Sequence, residues 1–149
     1  MREIIGDLWD FSGEGILCIT TNGHVTRKGE AVFGRGCARQ AQERFPDLRA
    51  RLGALLSAGG NHVYLLGDGL VTFPVEESPW AAPDMRLIRR SGQELRVMAD
   101  REGWGRIIVP RPGCGGGGLV WQEVRPLLAD LFDERFSVIS CIAGRTIFS

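Results

Sequence analysis

Short apolar runs rich in β-branched residues alternate along the chain with stretches in which apolar residues recur every three or four positions. The first rhythm predicts strands and the second predicts amphipathic helices. Glu3 to Leu8, Gly15 to Thr21, Asn61 to Leu66, Leu70 to Val75, Ile107 to Val109 and Phe136 to Ile142 read as strands. A helix spans roughly Cys37 to Arg44, ended by Phe45-Pro46, and a second runs from Leu48 to Ser57, capped by Asp47 and stopped by Gly59-Gly60. A third, Met85 to Glu102, is capped by Asp84 and turns Leu87, Ile88, Leu95 and Met98 to the core, with Gly92 as a weak point. A fourth carries Val120, Val124, Leu127, Leu128 and Leu131 on one face, and Pro126 inside it predicts a kink or a fresh turn. Gly67-Asp68-Gly69 reads as a hairpin turn and Glu76 to Pro83 as a loop. Strands alternating with helices predict an α/β fold around a mixed sheet.

Length and charge narrow the class. At 149 residues the chain suits one domain, residues 1–149, and leaves no room for two comfortable ones. Eighteen basic residues balance eighteen acidic ones, so no broad nucleic-acid or membrane surface is expected. The opening MREIIGDLWD carries acids and no long apolar core, which argues against a signal peptide, and no stretch is apolar enough to span a bilayer. Cys18, Cys37, Cys114 and Cys141 lie far apart without a CxxC pair, and only two histidines are present. Reduced thiols in a cytoplasmic protein, no metal site and no cofactor are the expectation, with a monomer as the expected state.

The chemistry concentrates in glycine. Ile107 to Trp121 reads IIVPRPGCGGGGLVW, a buried strand, a loop with five glycines in six residues, and then a helix. Bare backbone N–H groups next to a helix N-terminus suit an anion. A shorter glycine turn, Gly34-Arg35-Gly36-Cys37-Ala38, opens the first helix in the same way. Two such loops at strand ends suggest a ligand with an extended sugar-phosphate body. Gly113, Gly115 and Gly118 formally make GxGxxG, so a dinucleotide-dependent oxidoreductase is a distant alternative. The strand that follows ends in Ala143-Gly144-Arg145 instead of the acid that would grip a ribose, and no GK[ST] completes a P-loop.

GDL near the start, Asn22 at the end of the second strand, GRGCA at Gly34 to Ala38, TFPVEESPW at Thr72 to Trp80 and VPRPGCGGGGLVW at Val109 to Trp121 together resemble a macro domain. The resemblance covers nearly the whole chain and is closest to the compact branch containing terminal ADP-ribose protein glycohydrolase and the DNA-targeting antitoxin macro domains. It implies a three-layer α/β/α fold with a mixed central sheet and a cleft for ADP-ribose. Carried over by position, Asp7 with Leu8 would meet the adenine. Asn22 and the Gly34, Arg35, Gly36, Cys37, Ala38 turn would line the distal ribose. Gly113, Cys114, Gly115, Gly116, Gly117, Gly118 and Leu119 would wrap the diphosphate, Pro110 is a ligand-binding candidate just ahead of them, and Arg35 and Arg111, which flank the two glycine loops, are candidates to meet phosphate. Each has a plainer reading. Asp7 can be a helix cap, Asn22 an Asx turn, and Cys37 and Cys114 packing residues.

The sequence also departs from that branch. Hydrolases there use a lysine in an FPTK-like pattern, and Glu76 stands at that position here. Their aspartate of the GCGxDxL pattern falls at Gly117. Lysine attack through a Schiff base is therefore not available at these positions. The expectation is removal of ADP-ribose from a protein or nucleic acid by a lysine-independent route, with Glu76, Glu77, Asp84 and His24 as acid–base candidates. The alternative is a catalytically silent ADP-ribose reader. Trp80 is a further binding handle, by stacking on a base or a modified side chain, unless it is a hydrophobic plug.

Overall fold

A computed structural model describes the backbone of residues 1–143 and 146–148 and the side chains of residues 1–140, so Gly144, Arg145 and the Cys141 side chain lie outside the described residues. The strands are β1 (Arg2–Gly6), β2 (Ile16–Asn22), β3 (Leu65–Gly67), β4 (Leu70–Glu76), β5 (Ile107–Pro110), β6 (Phe136–Ala143) and β7 (Thr146–Phe148). The helices are α1 (Cys37–Arg44), α2 (Leu48–Gly59), α3 (Met85–Glu102) and α4 (Trp121–Leu128). They build one seven-stranded sheet in the order β1-β6-β5-β2-β4-β3, with β7 added to β6. The five strands from β1 to β4 in that order are parallel, while β3 and β7 pair antiparallel.

Period-two alternation in the strands divides the core into two faces. Leu17, Ile19, Ile108 and Ile139 point to one cluster, with Ala38, Ala41, Leu48, Leu52 and Leu56 from α1 and α2. Cys18, Ile107, Val109 and Val138 point to the other, with Ile88 and Leu95 of α3 and Trp121, Val124 and Leu128 of α4. Helices on both faces of a mixed sheet make the three-layer α/β/α arrangement.

Several elements differ from the sequence expectation for identifiable reasons. β1 stops at Gly6, because the Asp7 carboxylate accepts the Trp9 N–H at 3.0 Å and caps a 3-10 turn, Leu8–Phe11, that buries Leu8. The strand expected from Asn61 shrinks to Leu65–Gly67. Ahead of it the Thr72 hydroxyl takes over the ladder, accepting the Tyr64 N–H at 2.7 Å and donating to the His62 carbonyl at 3.0 Å. α3 is unbroken through Gly92, where a methyl group would come within 2.8 Å of Leu128 Cδ2. That glycine lets the end of α4 and the residues after it pack closely on α3. Pro126 sits inside α4, which ends at Leu128, short of Leu131. The short β7, three residues long, has too brief an apolar run to stand out in the sequence.

Candidate functional site

Strands that follow β2 in the chain lie on both sides of it in the sheet. The chain leaves β2 for β4 on one side and returns to β5 on the other. Parallel strands that diverge in this way leave a crevice beyond their carboxyl ends. A cavity of about 720 Å³ lies at these strand ends. Its walls are Thr20, Thr21 and Asn22 of β2, Val75 and Glu76 of β4, Gly34, Arg35, Gly36 and Ala38 around the start of α1, Pro79 to Pro83, and Gly113, Gly115, Gly116 and Gly117. A register shift between Thr21 and Asn22 brings Asn22 opposite Glu76 at the end of the ladder.

Two backbone devices face each other across this space. Gly36, at φ 65°, precedes α1 with no side-chain cap. The Ala38 and Arg39 N–H groups have no partner among the described residues. The second loop closes on itself through Leu119 N–H to the Gly113 carbonyl at 2.9 Å and Cys114 N–H to the Arg111 carbonyl at 3.3 Å. The N–H groups of Gly115, Gly116 and Gly117 have no partner among the described residues. Unpaired donors beside a cavity keep their hydrogen-bonding capacity for a ligand.

Glycine is required where that loop folds back. A Cβ on Gly113, which holds φ 71°, would lie 2.8 Å from Leu119 Cδ1, and one on Gly117 would lie 2.7 Å from both the Gly113 carbonyl oxygen and Pro83 Cγ. Pro83 thereby braces the loop. No side chain fits at Gly117 without displacing this packing, the aspartate of the resembling family included. Gly116 differs. A Cβ there would meet the Arg35 guanidinium at 3.5 Å, so Arg35 reaches from the first glycine loop to the second.

The four acid–base candidates separate. Glu76 alone lines the cavity, half-buried, and burial raises its pKa while the Arg35 charge opposes the shift. Glu77 lies outside the lining, its carboxylate accepting from Asn61 Nδ2 at 3.3 Å. Asp84 caps α3, accepting the Arg86 N–H at 2.8 Å. His24 is not in the lining either and packs edge-on against Trp80 with ring centroids 4.7 Å apart. Trp80 is no buried plug, for it is 76% exposed on the cavity wall.

The ligand-binding candidates are similarly divided. Asn22 lines the cavity but its amide is engaged, donating to the Val32 carbonyl at 2.9 Å and accepting the His24 N–H at 3.0 Å. It makes an Asx turn and still has one N–H and one lone pair free. Asp7, Leu8, Cys37, Pro110, Arg111, Cys114, Gly118 and Leu119 lie outside the lining. Arg111 stacks its guanidinium 5.3 Å over Trp121, whose indole N–H donates to Glu3 at 2.6 Å. That hydrogen bond and the nearby Arg125 hold the Glu3 carboxyl below its ordinary range. Cys114 donates to the Pro112 carbonyl, and burial pushes its thiol up to about 11, an unreactive state near neutrality.

Thr20, Thr21, Val75, Pro79, Ala81, Ala82 and Pro83 line the cavity without having been singled out in the sequence. Their signal was position alone, the last residues of β2 and β4 and the proline-flanked segment after them. Among the described residues no group of three His, Cys, Asp or Glu side chains is placed to hold a metal ion, and no helix is long and apolar enough to cross a membrane.

No protein-family model matches the chain, and comparison with curated proteins returns no match. Solved structures do match. The macrodomain of Thermus aquaticus DarG superposes with a TM-score of 0.75 at 22% identity, covering 96% of this chain and 97% of that one. The macrodomain of Mycobacterium tuberculosis DarG gives 0.76 at 22%, covering 97% and 100%. Thermosipho africanus DarTG, solved in complex with ADP-ribose, gives 0.74 at 20% identity, covering 99% of this chain and 43% of that one. The chain has the macrodomain fold.

Proposed function

We propose that the cavity binds ADP-ribose and that the protein removes ADP-ribose from a modified protein or nucleic acid without a catalytic lysine. The observation that carries the binding half is the pair of glycine loops, both with unpaired backbone N–H groups among the described residues, that line one cavity at the switch point of the sheet. Backbone donors on two sides, with Arg35 between them, suit a diphosphate. The structural likeness to a DarTG solved with ADP-ribose supports the same ligand. In this reading Gly113 to Leu119 hold the diphosphate, Asn22 and the Gly34 to Ala38 turn meet the distal ribose, and Asp7 takes the adenine amino group on the carboxylate oxygen its cap leaves free.

The chemical half rests on Glu76. It is the one acid–base candidate in the cavity, and a carboxyl with a raised pKa exchanges protons nearer neutrality. A single monomeric domain over residues 1–149, acting in the cytoplasm without cofactor or metal, completes the proposal.

Incubation with ADP-ribosylated protein and ADP-ribosylated DNA, followed by mass spectrometry of free ADP-ribose, tests it. Release that disappears in Glu76→Gln while calorimetric binding of ADP-ribose persists is the expected result. Binding without release from either substrate would make the protein a reader, a reading favoured by Glu76 standing alone in the cavity. Absence of binding would overturn the proposal. Asp7→Asn separates the two jobs of that residue. Asparagine caps as well as aspartate does, so stability should stay within about 0.5 kcal/mol. Affinity should fall about tenfold, because an amide N–H would face the adenine donor.

A further inference from the structure

Resting on the ADP-ribose reading, we propose that Arg35 is a positioning residue shared by Glu76 and the ligand's diphosphate, so that binding the anion delivers to Glu76 the proton it then gives to the leaving atom. Among the described residues no N–H or O–H group is within hydrogen-bond distance of the Glu76 carboxylate, and no cation is within ion-pair distance. Arg35 and Glu76 line the same cavity, and the charge that favours the ionised form of Glu76 is that of Arg35. Arg35 is itself exposed and uncommitted among the described residues, with its guanidinium beside Gly116, against the loop whose N–H groups are unpaired.

An anion held by that loop would therefore bind next to Arg35. A guanidinium pairs with phosphate oxygens through two parallel hydrogen bonds, a stronger arrangement than its distant attraction to Glu76. The phosphates then offset the Arg35 charge that Glu76 feels and add negative charge nearby, and both changes favour the protonated form of Glu76. Groups on the adjoining segments do not substitute. Asn22 on β2 is uncharged, Glu77 is held by Asn61, Asp84 caps α3, Arg86 belongs to the first turn of α3, and His24 packs on Trp80. The second glycine loop contributes backbone alone. Protonated Glu76 acts as the acid. The bond from the ribose anomeric carbon to the leaving atom breaks, its electron pair going to that atom, which takes the Glu76 proton. Water adds hydroxide to the carbon and returns its other proton to the Glu76 carboxylate.

Titration calorimetry with ADP-ribose near neutral pH, in two buffers of different protonation enthalpy, reads the proton directly. The wild-type protein should take up a fraction of a proton per ligand bound, and Glu76→Gln should bind with that uptake lost. Arg35→Gln should bind about tenfold more weakly or worse. Its uptake should be smaller, since Glu76 already holds more of its proton before ligand arrives. Arg35→Lys keeps the charge but not the fork, and should weaken binding while preserving uptake. Equal heats in both buffers for the wild type, or unchanged uptake in Glu76→Gln, overturn this inference and leave the ADP-ribose reading standing. No binding by the wild type in either buffer overturns that reading, and this inference with it.

Discussion

Glycine serves different ends in the two loops that face each other across the cavity. In the first, Gly34 has no atom within 4 Å of where a Cβ would stand, while Gly36 holds φ 65° to turn the chain into α1. That loop is held from behind. Ala31 N–H donates to the Arg49 carbonyl in α2, and Gly53 of α2 lies so close to the Gly29 carbonyl that a Cβ would fall 1.9 Å from its oxygen. The second loop is held at its base, by Gly113 and Gly117 packing on Leu119 within it and on Pro83 from the segment before α3. One loop is therefore open at its tip and braced by a helix, whereas the other is jammed at its base and open at Gly116. The lesson is that a glycine-rich loop is not floppy by composition. Its shape is set by whichever neighbours occupy the space its side chains would have filled.

The sharpest way to break this contrast is Gly53→Ala. Alanine is the better helix former, yet its methyl must expel the Gly29 backbone, and the expected loss is about 3 kcal/mol in urea denaturation. The proposed ADP-ribose binding should weaken as well, because the displaced segment leads into Gly34. Gly117→Ala comes next, with about 2 kcal/mol lost as Pro83 and the Gly113 carbonyl give way. Gly117→Asp should likewise cost binding, and should not confer release by supplying the aspartate of the resembling family.

Glu76→Gln has a smaller effect, of opposite sign. Burial raises the Glu76 pKa in the folded protein, so the folded state holds that proton more tightly than the unfolded chain does. The stability linked to that proton is present below the unfolded pKa and is lost as pH rises through the folded one. Glu76→Gln should therefore be more stable than the wild type near neutrality, the difference closing as pH falls below about 4. Denaturation curves at several pH values would show it, and a wild type that is the more stable at neutral pH would contradict the burial of this carboxyl. Gly34→Ala should change least, within about 0.5 kcal/mol, and a larger loss would mean that the first loop is as tightly packed as the second.

Much of the fold was legible because it follows from local pattern. Asp84 capping α3 and the apolar runs of β2, β4 and β5 all depend on residues close in sequence, whereas Asp47, expected to cap α2, makes no cap because its carboxylate accepts from Arg51 one turn on. The site was legible in part. The glycine loops announce themselves by composition, but Glu76, Glu77 and Asp84 look alike in a polar stretch. Which of them reaches the cavity depends on where β4 ends, on Asn61 arriving beside Glu77, and on α3 starting at Met85. Gly53 gave one signal that was passed over, a glycine in the middle of a helix that disfavours it. Pro74 behaves similarly. It lies inside β4, and its ring nitrogen shares the orientation of the Thr72 N–H toward the side where β3 is too short to reach it.

By itself the sequence determined the alternation of strands and helices, the two apolar faces of the sheet, and the presence of two bare-backbone loops at strand ends. Each of these is written in spacing a few residues long, where backbone sterics and hydrophobic periodicity act. Tertiary structure alone decided that the two loops share one cavity, that Arg35 spans them, that Glu76 is the carboxylate lining it, and that Gly117 has no room for a side chain. Those outcomes join residues as distant in sequence as Arg35 and Gly116, or Pro83 and Gly117. They follow from the order in which the strands pair, which no local pattern encodes.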